Sequence, residues 1–209
     1  MSKYSEAISK KKEIARNQLL SLIRPVTKEI FHKWGNQHVN ILSLPSDNFE
    51  FEKKVRDLSE HYHIDTVENN YELWKKGLVK AQELNINHYH DDIFDFLAKS
   101  DRKYHVIWLD LCGYLNPKLM NRLIPVFQGK YTWEKAVIGL TTMQARENKL
   151  IREKKHYGFS SVSSFRIGFP KYLDYFAEQA GCKLTHFKRF RFTSANNTPM
   201  QLQRIIIQN

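Results

Sequence analysis

The sequence predicts an α/β fold: a doubly wound, mostly parallel seven-stranded sheet with helices on both faces and a C-terminal antiparallel hairpin. Three observations carry that expectation. Short apolar runs of strand length alternate with segments of helical period. The run YHVIWLDL (104–111) is apolar on both faces, as a central parallel strand is. The chain closes on two strand-like runs joined by a short polar loop. Parallel neighbours need a covering, right-handed crossover, and the intervening helical segments supply it.

Residues 1–34 read as helical, with Leu19, Leu20, Ile23, Val26, Ile30 and Phe31 at three- and four-residue spacing. Pro25 removes a backbone donor there and is expected to split the segment into two helices. Lys10, Lys11, Lys12 and Arg16 lie on its approach, and Gly35 and Asn36 end it. We therefore set residues 1–36 apart as an N-terminal helical extension and take 37–209 as the α/β domain. VNILSL (39–44), bounded by Pro45 and Ser46, has the length of a buried strand. Asp47 stands three residues before Glu50, the spacing of a capping box, ahead of Phe51, Val55 and Leu58.

IDTV (64–67) is the next strand, and 70–84 a helix with Tyr71, Trp74, Leu78 and Ala81 on one face. INHYH (86–90) is a weaker strand, IFDFL (93–97) a short helix, and 104–111 the strongest strand. Asn116-Pro117 opens a helix carrying Leu119, Leu123 and Val126, because proline is tolerated in a first turn. AVIGLTT (136–142) is another buried strand. Residues 143–158 change character, with many cations and little apolar period, and read as a surface excursion. Residues 160–180 resume as a helix with Phe165, Tyr172, Phe176 and Ala180 inward and Gly181 as its stop. KLTHFKRFRF (183–192) and MQLQRIIIQ (200–208) then form the hairpin around SANNTP.

The composition, with 209 residues of which 42% are hydrophobic and 26% charged, belongs to a folded globular chain. No apolar run approaches the ~20 residues that span a bilayer. The N-terminus lacks an export signal's apolar stretch, so a soluble, cytoplasmic protein without membrane partners is expected. Cys112 and Cys182 cannot frame a set of disulfides, and they read as free thiols of a reducing compartment. The histidines, His61 with His63 and His88 with His90 among them, show no metal-type grouping, so no metal is expected. A net charge of +11 points to a polyanionic partner, nucleic acid first.

In an open doubly wound sheet, ligands bind beyond the carboxyl ends of the strands at the point where strand order reverses. The strand ends here are acidic. The first strand runs through Ser43-Leu44-Pro45-Ser46-Asp47; the second ends at Glu68, the third at Asp91-Asp92 and the fourth at Asp110. A lone carboxylate at a helix start is ordinary, favoured by the helix dipole, but acids at successive strand ends form a pattern.

With the terminal hairpin, this order resembles the Rossmann-fold (class I) methyltransferases that use S-adenosylmethionine, over about residues 37–209. The resemblance implies that Glu68 in VENN accepts from both ribose hydroxyls, which suits an acceptor-only carboxylate. It implies that Asp92 receives the adenine amino group and that Ile93 packs on the ring. Ser43, Pro45 and Ser46 fall beside the methionine part of the cofactor, in a loop, LSLPSDNFEF, with no glycine where the family's loop is rich in it. Ser46 and the free amides of the following helix remain as donors. Asp110 falls beside the methyl group, where it orients or takes a proton from an attacking nitrogen, and Tyr114 stacks on a planar substrate. Here Asp110-Leu111-Cys112-Gly113-Tyr114 stands where relatives acting on exocyclic amines carry an Asp or Asn, two prolines and an aromatic. Cys112 is read as a small buried residue rather than a nucleophile.

The excursion's Arg146, Lys149, Arg152, Lys154 and Lys155, with Lys188, Arg189 and Arg191 interleaved with Phe190 and Phe192, form the expected phosphate-tracking surface. The plain alternative is a solvated face with the phenylalanines turned inward. The expected function is an S-adenosylmethionine-dependent methyltransferase acting on DNA or RNA. The alternatives are an inactive methyltransferase-like module that binds nucleic acid or protein and, more weakly, a small-molecule methyltransferase.

Overall fold

The computed structural model describes residues 3–34, 39–111, 117–143, 174–175, 177–193 and 199–209. Within them lie α1 (Lys3–Trp34), β1 (Val39–Ser43), α2 (Glu50–Arg56), β2 (Tyr62–Glu68), α3 (Tyr71–Glu83), β3 (Asn87–His90), α4 (Ile93–Lys99), β4 (Tyr104–Asp110), α5 (Pro117–Phe127), β5 (Thr132–Met143), β6 (Lys183–Thr193) and β7 (Pro199–Gln208). Among the described residues, no helix is long and apolar enough to cross a membrane.

One seven-stranded sheet runs in the order β3-β2-β1-β4-β5-β7-β6. β1 to β5 pair in parallel, and β7 runs antiparallel between β5 and β6. Strand order reverses between β1 and β4, where Ser43 sits opposite Thr66 on one side and Trp108 on the other. Alternation sends Ile41, Ile64, Val106 and Val137 to one face and Leu42, Val67, Ile107 and Ile138 to the other, all buried. The first face is covered by α1 and α2, through Leu19, Ile23, Phe51 and Val55. The second is covered by α4 and α5, through Ile93, Leu97, Leu123 and Phe127.

Three local expectations are corrected. Pro25 does not divide the N-terminal segment, because α1 continues through it. Leu22, Ile23 and Val26 flank the proline and are all buried in one core, so sheet packing outweighs the lost hydrogen bond. The Asp47–Glu50 capping box does not form: Asp47 is exposed, and the Glu50 amide donates to Ser46 Oγ at 3.3 Å. The residue before α2 is instead Phe49, in the left-handed region at φ 53, with its side chain buried edge-on against His88. That ring contact holds a backbone conformation normally left to glycine or asparagine.

On α3 the buried positions are Gly77 and Ala81, while Tyr71 is 51% and Leu78 40% exposed. A Cβ on Gly77 would lie 2.6 Å from His88 Nε2, so the helix meets β3 at its smallest residue and its bulky side chains turn outward. Most of the 160–180 helix lies outside the described residues. The third correction falls within them: Ala177 is buried, but Ala180 is exposed rather than inward, and Gly181 (φ 76) follows as a left-handed stop.

Candidate active site

A cavity of about 1190 Å³ opens beyond the carboxyl ends of β1, β2 and β4, at the reversal of strand order. Glu68, Asp92 and Asp110 all line it, together with Pro45, Ser46 and Ile93. The strand-end acids thus share one rim, and Pro45 forms part of the wall with the hollow open before it. Ser43 is not among the lining residues; it is fully buried and its hydroxyl donates to Glu52 Oε1 at 2.6 Å. Tyr114 lies outside the described residues.

Each acid is held differently. Glu68 Oε1 accepts the Asn70 amide at 2.7 Å, which turns the chain into α3. Asp92 caps α4, with Oδ1 accepting from Phe94 N at 2.9 Å and Asp95 N at 3.3 Å, and Arg122 of α5 bridges both of its oxygens. Asp92 is therefore a helix cap and an ion-pair partner as well as a rim residue. Asp110 ends β4, buried throughout up to that residue, and reaches the cavity from the sheet's centre.

Sequence reasoning missed several contributors. α1 supplies Glu13 and Arg16, α2 supplies Lys54, and α5 supplies Lys118 and Arg122. Glu52 sits fully buried behind the β1 end, where burial pushes its carboxyl up to about 7 against the opposing pull of the Ser43 hydrogen bond. The helical period held one signal for Arg16: it stands beside Ala15 and three residues before Leu19, at the margin of the buried stripe.

The described lining carries seven carboxylates and four cations, in a chain of net charge +11. The hollow is acidic while the chain is basic. Leu44, Val67, Ile93, Phe94, Leu111 and Leu119 add an apolar shelf. Such a site suits a planar heterocycle carrying hydroxyls and positive charge. Among the described residues no three His, Cys, Asp or Glu side chains group as a metal-ligand set.

The basic surface is only partly described. Arg146, Lys149, Arg152, Lys154 and Lys155 lie outside the described residues, as does the side chain of Arg189. Lys188 and Arg191 are exposed on β6, but three residues apart on a strand they project to opposite faces. Phe190 is half-buried against the α1 side of the core, as the solvated-face alternative has it.

No protein-family model matches the chain, and no curated protein is similar to it. Solved structures are. The M. jannaschii TYW2 structure in complex with AdoMet aligns at a TM-score of 0.52 and 13% identity, over 90% of this chain and 75% of that one. The O-methyltransferase from Bacillus cereus in complex with SAH aligns at 0.50 and 14%, over 81% and 74%. The Methanococcus jannaschii fibrillarin pre-rRNA processing protein aligns at 0.50 and 16%, over 80% and 66%. Across such matches the chain spans about half to three quarters of the other structure's length. Strand order, the antiparallel β7 and these alignments agree: the chain has the Rossmann-like methyltransferase fold.

Proposed function

We propose that this protein is an S-adenosylmethionine-dependent methyltransferase whose acceptor is a nucleic acid. The observation that carries the reading is the acidic cavity with an apolar shelf at the reversal of strand order. Two structures of this fold described as complexes with AdoMet and SAH support the choice of ligand. S-adenosylmethionine carries two cationic centres, a sulfonium and an ammonium, against one carboxylate, which matches an excess of acids. When bound, it supplies a methyl group already activated by the sulfonium.

The residues take separate roles. Glu68 accepts from the ribose hydroxyls with the lone pairs that the Asn70 amide leaves. Ile93 and Phe94 pack on the adenine. Asp92, anchored by α4 and Arg122, retains a lone pair on Oδ2 for the adenine amino group. Asp110, at the end of β4, orients the attacking nitrogen and holds the proton it releases, with Tyr114 stacking the acceptor base. Ser43 acts through Glu52, as a buried support of the β1 end. Alignment is the larger part of such catalysis, and rigid strand ends deliver it.

The nucleic-acid acceptor is supported by the net charge of +11 lying outside an acidic cavity and by the pre-rRNA processing description of one matched structure. Arg146, Lys149, Arg152, Lys154, Lys155, Lys188, Arg189 and Arg191 are its phosphate contacts. A second reading, a binding module that has lost the chemistry, is favoured by one observation: Pro45 offers no N–H to the cavity wall.

Calorimetric titration with S-adenosylhomocysteine separates the two. Binding at sub-millimolar ligand, weakened about 10- to 100-fold by Glu68→Ala, is expected for the enzyme. A folded protein that gives no heat overturns that reading and leaves the binding module.

A further inference from the structure

We propose that Arg16 of α1 anchors the carboxylate of the amino-acid portion of S-adenosylmethionine, taking over a task that the loop after β1 cannot perform. The inference rests on the reading of the cavity given above. It starts from charge matching, because a ligand carboxylate entering a hollow with excess acid must meet a cation or be repelled.

The loop offers that anion fewer donors than its length suggests, since three of its amides are already engaged. Leu44 N donates to Trp108 O at 3.3 Å, Phe49 N to Ser46 O at 2.9 Å and Glu50 N to Ser46 Oγ at 3.3 Å. Pro45 has no amide hydrogen at all.

The cations of the lining are not equivalent. Arg122 is bound to Asp92 and Asp95. Lys54 is bound to Glu13 at 3.3 Å and Asn17 at 3.2 Å. Lys118 is exposed at the first turn of α5. Arg16 is half-buried and lines the cavity; among the described residues its guanidinium makes no hydrogen bond or ion pair, and its charge acts on the buried Glu52, whose carboxyl it draws down. It also rests on a firm base. Ala15, Leu19 and Leu20 are buried around it, and Leu19 presses on Gly139 of β5. A guanidinium so placed presents a planar fork that fits a carboxylate with two parallel bonds.

The test compares ligands that differ in the carboxylate. Calorimetry is run on the full-length protein and on Arg16→Gln, with S-adenosylhomocysteine, its decarboxylated analogue and 5′-methylthioadenosine. The wild type is expected to bind S-adenosylhomocysteine about 10- to 100-fold more tightly than the decarboxylated analogue. Arg16→Gln should erase that preference while its affinity for 5′-methylthioadenosine stays within about twofold. Equal wild-type affinity for the first two ligands overturns the proposal whatever the variant does. An equal loss for all three ligands in Arg16→Gln, or an unchanged preference, overturns it as well. A wild type that binds none of the three removes the methyltransferase reading and this inference together, whereas binding without carboxylate preference removes only the latter.

Discussion

Leu19 and Gly139 meet so closely that a Cβ on Gly139 would lie 2.9 Å from a Leu19 methyl and 3.1 Å from Trp108 Cδ1. α1 lies directly on β5 at this point, and the contact fixes where the helix's N-terminal half reaches the cavity. Gly139→Ala adds volume against two buried side chains, Leu19 and Trp108, and it is expected to destabilise the protein by about 1–3 kcal/mol. A lower urea midpoint at unchanged slope is the readout; an unchanged midpoint would mean that α1 shifts freely on the sheet.

Glu52 makes stability depend on pH in an unusual direction. Its carboxyl is raised from an ordinary 4.5 to about 7, chiefly by burial, so between those values the folded protein holds a proton that the unfolded chain has released. The stabilisation is fully present below about 4.5 and lost as pH rises through about 7. Glu52→Gln mimics the protonated form. The variant should gain about 2 kcal/mol relative to the wild type between pH 5 and pH 8, measured by chemical denaturation at each pH. A difference independent of pH contradicts this account.

Asp65, 1% exposed in β2, accepts from Arg102 at 2.6 Å, Tyr104 Oη at 2.8 Å and Asn87 Nδ2 at 2.8 Å. Arg102→Ala removes the guanidinium and leaves that carboxylate with Tyr104, Asn87 and the His63 imidazole 3.3 Å away, at an expected cost of about 2–4 kcal/mol. Asp65→Asn in the same background should recover part of the loss, because no buried charge then remains. Thermal denaturation of the four proteins of the double-mutant cycle measures the coupling, and strictly additive effects would refute the pairing.

How much of this was legible in the sequence follows from the range over which each signal acts. Strands such as Tyr104–Asp110 read easily, since apolar residues on both faces leave no other buried use for a run that short. Glu68 and Asp110 were legible because each closes a largely buried strand, and Asp92 because it stands at the start of the next helix after the weaker, exposed Asn87–His90. The buried face of α3 was not legible, because the approach of Gly77 to His88 appears only once helix and sheet have docked. Arg16 reaches the cavity only through Leu19 on Gly139, a contact between distant parts of the chain. The Asp92–Arg122 pair, 30 residues apart, is likewise invisible to local pattern.

A nucleic-acid acceptor predicts salt-dependent binding. Fluorescence anisotropy with a labelled single-stranded RNA should give a log–log salt slope on the order of −5, and a slope near zero would remove the phosphate contacts. Lys188 and Arg191 face opposite sides of β6, so Lys188→Glu and Arg191→Glu should weaken binding unequally. Equal losses would mean that the strand plays no directional part.

β6 also ends the sheet, with 11 residues of strand carrying Lys183, Lys188, Arg189 and Arg191. A long outermost strand is a template on which a foreign β-segment can nucleate, and a row of like charges is a familiar guard against such zippering. The consequence is practical. Polyphosphate or concentrated salt, by masking those cations, should bring the chain closer to precipitation, and replacing them with valine should do so in plain buffer.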